Sequence, residues 1–370
     1  MKVAVNLMWC VPGEVGGSEQ YLVRQLAGAL EARPTIDLTV VATPAFVDEH
    51  RDLLAGARFI AAPVDGRRRW QRIAAERTWL FRCTRDVDLV QHGGGTAPSP
   101  ARRPFLLTIH DLQYRTFPEY FTPLKRRYLA ATIPRSARRA ALIAVPSEYV
   151  RQSVIRELDM GPDRVVVVPH GYEPGLLADR TDETDLRTRF ALGDGPVVVY
   201  PAMTAPHKNH TFLVELMDTV WTEPDLRLVL IGGKGVADAH LDAAIAAATP
   251  STQARIVRAG RVTTADKNGL IAMADALVFP SRYEGFGAPL IEAMALGTPV
   301  LCSDATCLPD VAGDAGIVAP LDRDAWAAGL DELRRRRAEL VVAGSRRVQA
   351  YTSRRSGEAL VAAYDLAVAR

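Results

Sequence analysis

Short apolar runs alternate with longer amphipathic stretches from one end of this 370-residue chain to the other, and few folds accommodate that alternation. In the first half the apolar runs fall at residues 3–8, 37–42, 58–61, 87–91, 104–109, 141–145 and 165–168. They have strand length and little polar alternation, as expected of strands covered on both faces. Between them, residues 18–32, 67–84, 123–139 and 147–158 carry helical patterns. Strand–helix alternation predicts βαβ units with parallel strands. A stretch rich in Gly, Pro and acidic residues, 171–195, then interrupts the series and reads as an interdomain linker. A second series follows, with strands at 196–200, 226–231, 256–258, 276–279, 299–302 and 316–318. The chain therefore reads as α/β, two doubly wound Rossmann-like domains joined by one linker.

Hydrophobic residues make up 48% and charged residues 24%, which excludes a disordered chain. The net charge of +2 hides an asymmetry. Residues 1–175 carry 24 Lys/Arg against 18 Asp/Glu, and the remainder 21 against 25. A basic first half predicts an anionic partner there. Nucleic acid is not expected, because no recognised binding motif accompanies the charge. The four cysteines, Cys10, Cys83, Cys302 and Cys307, are too few and scattered for a disulfide framework, and predict reduced thiols in a cytosolic protein. The apolar segment 3–11 is too short for a signal peptide and reads as the first strand. No run approaches the roughly 18 apolar residues of a spanning helix, so any membrane contact is expected to be peripheral.

Ligands of doubly wound sheets bind beyond the carboxyl ends of the strands. The most informative such segment is 279–297. A strand ends at Phe279, and a loop holding Glu284, Gly285, Phe286 and Gly287 leads to a helix with Pro289 in its first turn and Gly297 just past its end. The helix is apolar on nearly every side and so reads as buried, with Glu292 its one charge, which needs a polar partner. Glu284 precedes the helix, where the sequence gives it little structural work. The glycines and the helix N-terminus favour an anion, with the amides of Phe286, Gly287 and Ala288 as donors.

Glu284 and Glu292, with Gly-Phe-Gly between them, resemble the E-x7-E motif of the retaining glycosyltransferases of family four, which have the GT-B fold. The likeness is densest over 260–320, through Ala274-Asp275-Ala276, Phe279-Pro280-Ser281, the run Ala293 to Val300 and Leu308-Pro309-Asp310. The resemblance implies that two domains face a central cleft, at 1–172 on the acceptor side and 196–356 on the nucleotide-sugar side, with a linker at 173–195 and a final helix, 357–370, packed back on the first domain. It implies that Glu284 contacts the donor sugar and Glu292 the ribose. The Pro-His-Lys-Asn-His wording at 206–210 resembles a branch containing mannosyl- and rhamnosyltransferases.

Lys208 follows the first strand of the second series, where a cation neutralises a phosphate. In the family a lysine here works with an arginine about six positions earlier on the donor pyrophosphate. Ala202 stands there instead, leaving Arg261, Arg282 or His207 to supply the second charge. Arg261 and Val262 are assigned to the donor site. Gly16 and Gly17, at a helix start, resemble the family's Gly-Gly loop, which implies that they close over the donor phosphates. His110 resembles the family histidine that approaches the donor sugar, where it stabilises transition-state charge, while Asp111 caps the local turn. Asp86-Val87-Asp88 spells D-x-D but leads into an apolar run and reads as a strand entrance, so no metal is expected. Gly93, Gly94 and Gly95 read as a flexible loop on the acceptor side. The basic residues of 125–139, interleaved with Tyr128, Leu129 and Ile133, read equally as a solvated face or as a membrane-surface helix.

The resemblance implies a metal-independent retaining hexosyltransferase without a bound cofactor, acting by front-face substitution with Glu284, Lys208 and His110 at the reacting centre. A nucleotide diphosphate sugar is the expected co-substrate, and a lipid-linked, glycan or small hydroxyl compound the acceptor. A GT-B epimerase or phosphorylase, or a nucleotide-sugar-binding pseudoenzyme, is the alternative.

Overall fold

Alternate residues of a strand face opposite sides of its sheet, and the first strand shows how both sides here are filled. In β1 (Lys2–Leu7), Val3, Val5 and Leu7 point into one core and Ala4 into another. The computed structural model describes residues 1–99, 101–173, 175 and 179–370. They fall into two compact units, Met1–Gly171 with Tyr351–Arg370, and Tyr172–Ala350.

Unit 1 adds β2 (Asp37–Ala42), β3 (Arg58–Ala61), β4 (Leu89–His92), β5 (Phe105–Thr108), β6 (Leu142–Val145) and β7 (Val165–Val167). All pair in parallel, in the order β3-β2-β1-β4-β5-β6-β7. Its helices are α1 (Gly17–Ala32), α2 (Pro44–His50), α3 (Arg69–Cys83), α4 (Gln113–Thr116), α5 (Pro123–Arg139) and α6 (Glu148–Leu158).

Unit 2 opens with α7 (Glu183–Arg189), inside the stretch read as a linker. Asp182 caps it, and Arg189 pairs with Asp266. Residues 174 and 176–178 of that stretch lie outside the described residues. The sheet order is β10-β9-β8-β11-β12-β13, also parallel, from β8 (Val197–Pro201), β9 (Arg227–Ile231), β10 (Ile256–Gly260), β11 (Ala276–Phe279), β12 (Val300–Ser303) and β13 (Gly316–Ala319). The helices are α8 (His210–Thr219), α9 (Asp238–Ala247), α10 (Pro250–Arg255), α11 (Thr264–Met273), α12 (Ala288–Ala295), α13 (Leu308–Ala312), α14 (Arg323–Arg335) and α15 (Arg337–Arg347).

The last helix, α16 (Ser353–Val368), belongs to unit 1. It lies along α1, and Leu360, Val361, Ala363, Tyr364 and Ala367 enter the same core as Tyr21, Leu22 and Leu26. The two backbones touch where each helix carries a glycine. A Cβ added at Gly28 would fall 1.8 Å from Ser353 O, and one at Gly357 1.9 Å from the carbonyl carbon of Gly28. The obstacle is main chain, which cannot swing aside. We expect Gly28→Ala to lower the unfolding free energy by roughly 1–3 kcal/mol through overpacking, read as a lower urea midpoint. A midpoint equal to that of wild type contradicts this contact.

Candidate active site

In a doubly wound sheet the crevice opens where strand order reverses, because loops from the two neighbouring strands turn to opposite faces. In unit 2 that point lies between β8 and β11. Lys208 comes from the loop after β8 and Glu284 from the loop after β11. Lys208 Nζ donates to Glu284 Oε1 at 2.6 Å, with the side chains 19% and 11% exposed. The ammonium also lies 5.5 Å from the centre of the Phe279 ring.

The main chain holds both residues. The Tyr200 hydroxyl donates to Lys208 O at 2.7 Å and lies 3.2 Å from Ser281 Oγ. Arg282 N donates to His207 O at 2.7 Å, which ties the two loops together. Glu284 N donates to Thr306 Oγ1 at 3.1 Å. The expectation that Glu284 has little structural work is therefore corrected. It balances a lysine withdrawn from water.

The helix after this loop ends as its sequence predicts. Gly287, at φ +85°, precedes α12, no side chain caps that N-terminus, and Pro289 lies in the first turn. A Cβ at Gly287 would fall 2.6 Å from Leu308 Cδ2. At the other end Gly297 N donates to Met294 O and Thr298 N to Ala293 O, the paired bonds of a Schellman motif. The Phe286 ring is buried, so what that residue offers a ligand is its main chain, as does Ala288 at the helix start. Glu292, 8% exposed, takes a 2.9 Å ion pair from Lys267 of α11. Sequence reasoning missed Lys267. A buried lone carboxylate signalled that some cation must come, but not which one.

Beside these loops a cavity of about 500 Å³ opens at the carboxyl edge of β8, β9 and β10, lined in part by Ala202, Thr204, Gly233, Arg258 and Arg261. Ala202 O accepts from His210 Nε2 at 3.2 Å. The Arg261 side chain lies over Gly233, where a Cβ would fall 2.7 Å from its Nε. Arg258 is tied to Asp238 and Asp242. Of the three cations considered for the position that Ala202 leaves empty, His207 is uncharged, since burial and then the Lys208 charge push its pKa down to about 4. Arg282 and Arg261 are both exposed, but of the three Arg261 alone lines the cavity with Ala202. Val262 follows Arg261, half-buried and outside that lining.

In unit 1 strand order reverses between β1 and β4. Gly16 precedes α1 at φ +62°, ψ −136°, a conformation open essentially only to glycine. A Cβ on Gly16 or Gly17 would meet nothing within 4 Å. The loop is anchored by Glu19, which accepts Gly13 N at 2.9 Å and pairs with His50 Nε2 at 2.8 Å.

His110, just past β5, packs edge-on against Trp9 and Tyr21. Its Nε2 lies 2.8 Å from Gly93 O, so Nε2 carries the hydrogen and Nδ1 presents a lone pair. Burial pushes its pKa down to about 4. A neutral ring supplies no positive charge of its own and presents its Nδ1 lone pair. It can orient a hydroxyl as an acceptor. Asp111 accepts Gln113 N at 2.8 Å, capping the turn.

Two glycines of the triple are packed, since a Cβ at Gly93 would meet Leu7 at 2.8 Å and one at Gly94 the Trp9 ring at 2.7 Å, while Gly95, at φ +75°, has open space. Asp88 accepts Lys2 N at 2.8 Å, at the amino edge of the sheet, away from the ligand loops. Among the described residues no three His, Cys, Asp or Glu converge to hold a metal. No helix there is long and apolar enough to cross a membrane, and the four cysteines are unpaired.

Two expectations follow from the charges. Removing one partner of a fully buried ion pair costs about 3–5 kcal/mol, which slight exposure reduces, so Glu284→Ala should cost roughly 1–3 kcal/mol. Adding Lys208→Met should recover part of the loss, and additive losses in urea unfolding would show that the two do not interact. Burial also holds His92 at about 3 and His110, His207 and His210 at about 4, against an ordinary 6.5. The unfolded chain binds these protons more tightly. Their contribution is therefore complete above pH 6.5 and is lost as pH falls from there toward 4. Melting temperature should stay level above about pH 7 and fall below about 6.5. A level profile down to pH 5 in a fluorescence melt would refute this.

The model described as Glycosyltransferase Family 4 matches residues 15–176, and Glycosyl transferases group 1 matches 182–351. O-antigen chain mannosyltransferase B of Escherichia coli is 32% identical over 68% of this chain and 66% of its own. The MMP alpha-(1->4)-mannosyltransferase of Mycolicibacterium hassiacum is 28% identical over 67% of this chain and 60% of its own. The matches thus span less than two thirds of each relative's own length. Among solved structures, Anabaena HepE in complex with UDP and glucose superposes with a TM-score of 0.77 at 18% identity, covering 99% of each chain. With a family-four domain followed by a group-one domain on two parallel Rossmann-like sheets of the GT-B type, the chain belongs to the family-four glycosyltransferases.

Proposed function

We propose that this chain transfers a hexosyl group, mannose or a close relative, from a nucleotide diphosphate sugar to a hydroxyl acceptor, with retention at the anomeric carbon and without a required metal. The observation that carries the reading is the Lys208–Glu284 pair at the strand-order reversal of unit 2, beside the cavity that holds Arg261. A nucleoside diphosphate leaves as an anion, so its departure needs fixed positive charge. Lys208 supplies it once Glu284 turns from the ammonium to the hydroxyls of the donor sugar, and Arg261 takes the part that Ala202 cannot. The uncapped N-terminus of α12 adds amide dipoles. Glu292, held near Lys267, accepts from ribose hydroxyls. Gly16 and Gly17 leave room for phosphate oxygens to approach the main chain.

In the reaction the bond from the anomeric carbon to the leaving phosphate oxygen breaks, and its electron pair stays on that oxygen. The acceptor oxygen bonds to the same face of the sugar, and its proton passes to the leaving phosphate. The protein orients both partners. His110 offers Nδ1 to a sugar hydroxyl, and Glu284 holds the donor sugar. The mannose reading rests on the names of the two relatives. We place the work at the cytoplasmic face of a membrane, on a lipid-linked, glycan or small-molecule acceptor, with no nucleic acid involved.

A thermal-shift panel of nucleotide diphosphate sugars identifies the donor, since a ligand of the native state raises its melting point. With that donor and a matching acceptor, we expect a product of unchanged anomeric configuration by NMR and undiminished turnover in EDTA. An inverted product, or activity lost to EDTA and restored by magnesium or manganese, would overturn the mechanism. Donor binding without transfer or hydrolysis would point to the pseudoenzyme.

A further inference from the structure

The first turn of α3 and the first two turns of α5 are joined into one surface to which the proposed transfer assigns no role. Residues 67–85 hold seven arginines and one acid, Glu76, which is buried. The seventeen residues of α5 hold six Lys/Arg and no acid. The Arg69 guanidinium stacks 4.9 Å from the centre of the Tyr128 ring, which joins the two elements. On this surface Trp70 is 68% exposed and Leu124 79%. Among the described residues no carboxylate pairs with Arg68, Lys125, Arg126 or Arg127, whereas Arg67 is taken by Glu14. A large indole and a leucine left in water beside unpaired cations fit a surface that is apolar inside and anionic at its face.

We propose that this face of unit 1 docks on an anionic lipid bilayer, with Trp70 and Leu124 entering the headgroup region and Arg68, Lys125, Arg126 and Arg127 meeting lipid phosphates. Tryptophan favours that boundary because its ring is apolar and its N–H stays solvated. The proposal extends the peripheral contact named above and is independent of transfer chemistry.

The test is co-sedimentation of the full chain with neutral phosphatidylcholine vesicles and with vesicles containing phosphatidylglycerol, without donor or acceptor. Binding should require the anionic lipid and weaken with added salt. Each Lys or Arg near such a surface is worth about fivefold, so Arg126→Glu/Arg127→Glu should weaken binding by at least about 25-fold. Brominated lipid should quench part of the tryptophan fluorescence of wild type, and Trp70→Ser/Leu124→Ser should weaken binding and remove that quenched fraction. All four positions are exposed, so the melting temperature should hold. Equal binding to both vesicles, no binding to either, or binding untouched by both double variants would overturn the proposal. So would retention on heparin that survives Trp70→Ser/Leu124→Ser while vesicles fail to bind, which would indicate a polyanion. Transfer by a chain that ignores vesicles would sink this proposal alone.

Discussion

Lys208 brings a full positive charge to the point where the strands of unit 2 change direction, largely out of water, and the surrounding groups answer that charge. Glu284 neutralises it, the Phe279 ring lies near it, and Tyr200 fixes the backbone that carries it. Charges in so desolvated a place interact strongly, so the pair is rigid and its position is set before a ligand arrives. A pyrophosphate bound here meets a cation already in place. It also meets Glu284, whose negative charge opposes it unless the carboxylate turns to other partners. Sugar hydroxyls are such partners. The same contact that stabilises the free protein thus favours a ligand that brings an anion for the lysine and donors for the glutamate.

Glu292 repeats the arrangement one layer deeper. It lies about one turn into α12, and Lys267 reaches it from α11. Each carboxylate of the motif therefore has its own lysine from a different element. Each carboxylate thus has a cation beside it and oxygens that can accept hydroxyl hydrogens.

Much of this was legible from sequence, and the limits have a physical cause. The thirteen strands of the described residues fall at or within two residues of the apolar runs, because strands covered on both faces are mostly apolar, with buried polar residues such as Asn6, Gln91 and His92 needing hydrogen-bond partners. Both ends of α12 were legible, since proline and glycine act through local backbone geometry. The helix Glu183–Arg189 was missed because its polar, acidic surface resembles a linker. Its order comes from the Asp182 cap and the Arg189–Asp266 pair. Lys267 and the Lys208–Glu284 bond were also out of reach, because they depend on which loops the tertiary fold brings together. For His110 the sequence gives the residue type, but its charge state follows from Trp9, Tyr21 and Gly93, which only the fold assembles.

The glycines show how structure separates packing from binding. Gly28, Gly93, Gly94 and Gly357 each have a neighbour that a methyl group would strike, so the protein's own packing accounts for them. Gly287 combines such a neighbour with a positive φ. Gly17 has neither. It opens α1 with an ordinary φ and only empty space where a side chain would stand. Alanine there would favour the helix by about 1 kcal/mol, so glycine at this position costs stability without a structural return. The proposed function supplies a return that the free protein does not show. An anion resting against the main-chain amides of an uncapped helix start needs that open space, and a methyl group would occupy it.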